Sequence, residues 1–250
     1  MRQRTASLDL SAWTLKLTAM AAMLIDHVAW VFWPQFSWQG ILSHTIGAMA
    51  MPIFSFFIAE GYAHTRSVSA YARRLGIFAL LSYLPFVCFV AGIQSGGTIT
   101  AASFTRLNMI YTLLLALGAL WAWNHIPQLE LRLVCIVLLC LAALPGDGAF
   151  FPVLLALAFH HARIDRLAGF TAATVLCLIM FLITLMPCLE QPGGLSLRTF
   201  AAEAGYRLGQ LPALALLGSY RGRKGRSAKY LFYGFYPLHL AALSLVLWMR

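Results

Sequence analysis

The chain has 250 residues, of which 61% are hydrophobic and only 10% charged, with a mean hydropathy of +0.78 and a net charge of +10. A soluble domain is roughly 45–50% apolar and about 25% charged, so the composition excludes a soluble globular enzyme, a disordered chain and a fibrous repeat. The excess of cations matches the cytoplasmic loops of membrane proteins, and nucleic acid is not expected as a partner.

Hydropathy predicts an all-α fold, a polytopic transmembrane helix bundle of about eight to ten spans. It reads as a single membrane domain over 1–250, with the lipid bilayer as its solvent. Spans are expected at roughly 12–33, 41–63, 73–93, 105–123, 131–145, 149–161, 167–187, 205–219 and 231–249. The first run is too long for a cleaved signal peptide, holds Asp26 and His27, and lacks a clear cleavage site. The stretch 190–206 leans polar and is expected as an outer loop or an interfacial segment.

With this order, the loops near 64–74, 124–132, 162–166 and 220–229 share a side with the N-terminus. Fourteen of the 18 Lys and Arg fall there, which predicts a cytoplasmic N-terminus in an inner-membrane protein. The strongest marker is the run Arg221-Gly-Arg-Lys-Gly-Arg226 followed by Lys229. The 5 cysteines form no C-x-x-C pair and sit mostly in apolar runs. They read as small buried hydrophobes, and no metal site is expected.

An ionisable side chain at the bilayer centre costs about 2.5–3.5 kcal/mol on insertion scales. Such residues become site candidates, each weighed against a structural role. In the first span, Asp26 and His27 are adjacent, and adjacent helical residues do not face one another. Each is therefore expected to find a partner on another helix. In the second, Glu60 lies near the inner end, where interfacial solvation is an alternative, and Pro52 is expected to kink the helix. Arg106 and Asn108 open the fourth span. Asp147 lies in Pro-Gly-Asp-Gly, which is also ordinary turn chemistry. His44 is a weaker outer candidate, and Trp30, Phe32, Trp33 and Trp38 suggest an outer aromatic belt. In the last span, Tyr236, Pro237 and His239 stand together.

At about 1.5 Å per residue, His27 lies about 22 Å along its span and His239 about 12 Å along its own. The groups then sort by depth. Asp26, His27, Asn108 and Asp147 fall in the outer half; Glu60, His239 and the 221–229 loop fall in the inner half. A path joining the two sets crosses the membrane. It suits a small proton-coupled transporter and equally an enzyme that joins a cytosolic donor to an outer acceptor.

Several blocks resemble the TraX family, named for the protein that N-acetylates conjugative F-pilin. They are Leu15-Lys-Leu17 with Met20 and Met23-Leu-Ile-Asp-His27, then Pro52-Ile-Phe-Ser-Phe-Phe-Ile-Ala-Glu-Gly61 with His64-Thr-Arg66. Leu107-Asn-Met-Ile-Tyr-Thr-Leu-Leu114, Arg221-Gly222 and Lys229-Tyr-Leu-Phe-Tyr-Gly-Phe-Tyr-Pro-Leu-His-Leu240 continue the order. The chain departs from the pattern at Gly148-Ala-Phe-Phe-Pro152 and at Ser219-Tyr220, and 160–205 carries little of it.

The resemblance implies a membrane acyltransferase that uses acetyl-CoA, with a pilin N-terminus or a glycan as acceptor. It makes His27 the leading catalytic residue, with Asp26 or Asp147 expected to hold an imidazole tautomer or bind an ammonium acceptor. Glu60, Asn108, Asp147, Arg221, Tyr236 and His239 become candidates for binding the substrate or the acyl donor, with Asn108 as an oxyanion donor. An assembly factor without chemistry is the remaining alternative.

Overall fold

The computed structural model describes residues 10–94, 97–189, 196–226 and 229–249. Twelve α-helices carry the fold: α1 Ala12–Phe32, α2 Trp38–Gly47, α3 Ala50–His64, α4 Val68–Leu81, α5 Tyr83–Gln94, α6 Met109–His125, α7 Leu129–Ala142, α8 Phe151–His161, α9 Arg166–Leu189, α10 Leu197–Leu208, α11 Leu211–Gly218 and α12 Lys229–Trp248. Among the described residues there is no strand beyond one isolated bridge, Leu107 to Gly146. This is the polytopic helix bundle that the hydropathy predicts. Among the described residues four stretches are long and apolar enough to cross a membrane, or five if α4 and α5, bent by 43°, count as one.

Side-chain caps start many of these helices. The hydroxyls of Ser11, Ser37, Ser67 and Ser196 and the carbonyl of Asn108 each accept a backbone N–H of the first turn. Such caps satisfy donors that lipid would otherwise strand.

Contacts gather the basic loops at one end. The backbone N–H groups of Ala12 and Trp13 donate to Arg223 and Lys224 carbonyls, at 2.7 and 3.2 Å. Arg163 pairs with Glu60, and Arg166 donates to the carbonyls of Gly218 and Tyr220. At the opposite ends of their helices, Leu107 and the 145–147 turn exchange backbone hydrogen bonds.

Burial sorts the helices. Residues Phe151, Val153, Leu155, Ala156 and Phe159 are at most 1% exposed, so α8 is the centre of the bundle. At 11 residues it is too short to span alone, but packing on α3, α6 and α9 covers it. Helices α7 and α9 carry exposed Val134, Leu138, Leu178 and Leu182 and form the lipid-facing wall.

Three local expectations change. The span expected to kink at Pro52 is interrupted at Ala48–Met49, and Pro52 sits in the first turn of α3, where proline is tolerated. Residues 197–208, expected as loop or interface, form α10. It packs against α2 through Gly205 and Gly209, where an added Cβ would meet Thr45 Oγ1 at 2.2 Å and Thr45 O at 2.3 Å. Their i, i+4 spacing is the small-residue contact of membrane helices. Trp30 leaves the expected belt: it packs 4.5 Å from the His44 ring, while Phe32, Trp33 and Trp38 stay exposed.

Candidate functional site

Asp26 and His27 turn to opposite neighbours, as adjacent helical positions must. Asp26 Oδ1 lies 2.8 Å from His44 Nδ1 on α2. A Cβ on Gly47 would come within 2.3 Å of Asp26 Cβ, so the bare glycine lets α1 approach. His44 is 1% exposed, packed on Trp30 and stacked on Tyr206 at 5.1 Å. Its Nε2 is sealed off, so the pair reads as a structural tie between α1 and α2.

His27 turns to α12. Its Nδ1 is 2.9 Å from His239 Nε2, and His239 Nδ1 is 2.8 Å from the Phe235 carbonyl. A carbonyl only accepts, so His239 Nδ1 carries the proton. With both rings neutral, His239 Nε2 must accept and His27 Nδ1 must donate. His27 Nε2 is then left with a lone pair, and among the described residues it has no hydrogen-bond partner. Phe89 packs edge-on against His27 at 5.1 Å and Phe235 stacks on His239 at 4.6 Å, fixing both rings.

This contact corrects the expected depths. His239 belongs with His27, not with the inner set. A depth counted along one helix from an assumed boundary ignores tilt and the level at which the neighbouring helix begins.

Below the pair lies a cavity of about 630 Å³. It opens at the basic loop beside Lys224, Gly225 and Arg226 and ends at Met23, Met109 and Tyr236. On α1 the lining runs from Trp13 through Lys16 to Met23, ten residues or about 15 Å. His27 is four residues beyond Met23 and His239 three beyond Tyr236, the spacings that share a helix face. The cavity therefore stops one turn short of the histidine pair on both helices. Its charged lining sets Lys16, Arg74, Lys224 and Arg226 against the single carboxylate of Glu60, and Phe57 and Phe232 lie under the Lys16 ammonium.

The remaining candidates divide between the two ends. Asn108 is 1% exposed and its amide is committed: Oδ1 accepts from Tyr111 N and Nδ2 donates to the Ala79 carbonyl. It joins the start of α6 to the end of α4. Tyr236 Oη accepts from Met109 N at 3.3 Å, which leaves its own hydrogen free to donate into the cavity. Glu60 stands at the basic end with Arg163 and, at 3.5 Å, the Tyr220 hydroxyl. Arg221 lines a second cavity and is not part of the first one's wall.

Asp147 is held by its backbone, N–H to Leu107 O and C=O from Thr112 Oγ1. Its surface is exposed, yet neighbouring protein atoms crowd its carboxyl. Lost solvation and then the Asp26 carboxylate push its carboxyl up to about 6, against the pull of Arg106. Among the described residues no three His, Cys, Asp or Glu side chains gather to hold a metal.

Sequence reasoning passed over Lys16 as a site residue, although a lysine inside an apolar span is a signal. It also passed over Arg74, Tyr206 and Gly47, which had none, since their roles exist only across helix contacts.

Residues 11–247 match a family described as TraX protein. The chain is also 29% identical, over 245 residues, to a protein of Dichelobacter nodosus named probable fimbrial assembly protein FimC, serogroup H1. That likeness covers 95% of this chain and 96% of the relative. No solved structure matches.

Proposed function

The chain belongs to the TraX family, and from that premise we propose that it is a membrane-embedded acetyltransferase. Acetyl-CoA enters from the basic, cytoplasmic end, and the acceptor is an amine or hydroxyl presented from the opposite side. The acceptor class is the N-terminus of a pilin-type subunit, in keeping with a relative named for fimbrial assembly.

The observation that carries this reading is the cavity itself: cationic at its mouth, apolar along its length, and ending one turn below an imidazole with a free lone pair. Its cations suit a polyanionic donor. The thioester reaches past the flexible Met23 and Met109. The acceptor nitrogen or oxygen then attacks the thioester carbonyl while His27 Nε2 takes its proton. Tyr236 Oη donates to the carbonyl oxygen as negative charge develops there. The C–S bond breaks, the acetyl group passes to the acceptor, and the CoA thiolate leaves towards the basic end, collecting the proton from His27.

The test is acceptor-dependent CoA release from labelled acetyl-CoA by protein in lipid nanodiscs, with pilin-derived peptides and glycans as acceptors. His27→Ala is expected to lower the rate by roughly 10²–10⁴-fold without loss of folded protein. A near wild-type rate in that variant defeats the reading. Solute flux without CoA release would turn it to the transporter class.

A further inference from the structure

A second cavity, of about 420 Å³, opens beside the first at the basic end. The two share Glu60, Tyr220 and Gly222 in their walls, so they are immediate neighbours. Their chemistry differs. The first draws Lys224 and Arg226 from the basic loop, and the second draws Arg221. Gly222, at φ +88°, turns the chain between them, and no atom lies within 4 Å of where its Cβ would be.

The second cavity sets three guanidiniums, Arg163, Arg166 and Arg221, against the one carboxylate of Glu60. Two are pre-positioned: Arg163 by Glu60, and Arg166 by the Gly218 and Tyr220 carbonyls. Arg221 is exposed and makes no hydrogen bond or ion pair among the described residues. Behind them stand the half-buried Phe56 and Phe170, each packed on the buried Phe159. A net positive, fork-shaped set of donors over an aromatic wall fits a phosphate ester joined to a flat base.

We infer that this second cavity docks the phosphorylated adenine-nucleotide end of the thioester donor, with Arg221 and Arg163 on its phosphate and the base against Phe56 and Phe170. The inference rests on the acetyl-transfer reading. It divides the donor between two cavities, nucleotide in the smaller and acyl-bearing arm in the larger, and it makes Arg221 a donor-specificity residue with no part in the chemistry.

The probe is adenosine 3′,5′-bisphosphate, titrated into wild type and Arg221→Gln in nanodiscs of zwitterionic lipid and again with acidic lipid. In parallel, KM and kcat are compared for acetyl-CoA and for S-acetyl-pantetheine, which lacks the nucleotide. Wild type is expected to bind the nucleotide, and Arg221→Gln to bind it about tenfold more weakly, since one charge-assisted contact is lost. The variant should raise KM for acetyl-CoA, leave kcat unchanged, and leave S-acetyl-pantetheine kinetics as in wild type. Arg221→Lys should recover part of the loss.

Nucleotide binding no tighter than that of inorganic phosphate, or unaltered in Arg221→Gln, overturns the inference. So does displacement by acidic lipid with no preference for the adenine compound, which marks a lipid-headgroup site. Thioester consumption with equal KM for both donors also overturns it and leaves the acetyltransferase standing. Tight nucleotide binding without turnover of any thioester supports the site and defeats the transferase.

Discussion

A main-chain carbonyl decides which nitrogen of His27 is free. Phe235 O holds the proton on His239 Nδ1, His239 Nε2 holds the proton on His27 Nδ1, and the lone pair emerges on His27 Nε2. His239 is thus a positioning residue, in the place where many sites put a carboxylate. His239→Ala should lower kcat while KM for acetyl-CoA stays within a factor of about two to three, and His239→Gln, whose amide oxygen still accepts, should retain more activity. Equal loss in both variants, with KM raised, would make His239 a binding group instead.

Asp147 gives a second test at this scale. Its carboxyl is raised to about 6, above the unfolded carboxylate value near 3.9. The folded state therefore binds the proton more tightly. The stability this group contributes is fully present below about pH 4 and is lost as pH rises through about 6. Asp147→Asn should remove that part of the fall in thermal midpoint between pH 4 and 7, and an unchanged slope would contradict it.

At the scale of the elements, glycines set how closely helices approach. Gly47 admits Asp26, and Gly205 and Gly209 admit the Thr45 turn of α2. These contacts carry the Asp26–His44 pair and the Tyr206 ring stacked on it. Gly205→Val, with its Cβ 2.2 Å from Thr45 Oγ1, should cost about 1–3 kcal/mol through overpacking. A lowered thermal midpoint in detergent checks it, and a wild-type midpoint would show that α10 does not pack as tightly as described. Gly205-x-x-x-Gly209 was visible as a spacing, but its partner was not, because sequence separates α2 from α10 by about 150 residues.

At the scale of the whole molecule, the basic loops meet at one end, and both cavities open there. Positive charge is expected on the cytoplasmic side, and the proposed donor entry makes the same demand. A cysteine placed by Lys224→Cys should be labelled by an impermeant thiol reagent only from the cytoplasmic side of oriented vesicles. Labelling from the outer side would invert the donor path.

What this chain's sequence determines by itself is its solvent, its helical class and the identity of its costly polar residues. Lipid demands long apolar helices, and each buried ionisable group stands out against them. The same reading shows that Asp26 and His27 need different partners, because neighbours on a helix diverge. Only the tertiary structure decides which partners they take. His44 and His239 lie 18 and 212 positions from their respective partners, and helix tilt and glycine contacts, which no count along one axis contains, set the depths at which they meet. The cavity that ends beneath His27 is likewise a property of packing: its walls come from residues spread from Trp13 to Tyr236, and how closely their helices approach is settled by which side chains fit, not by composition.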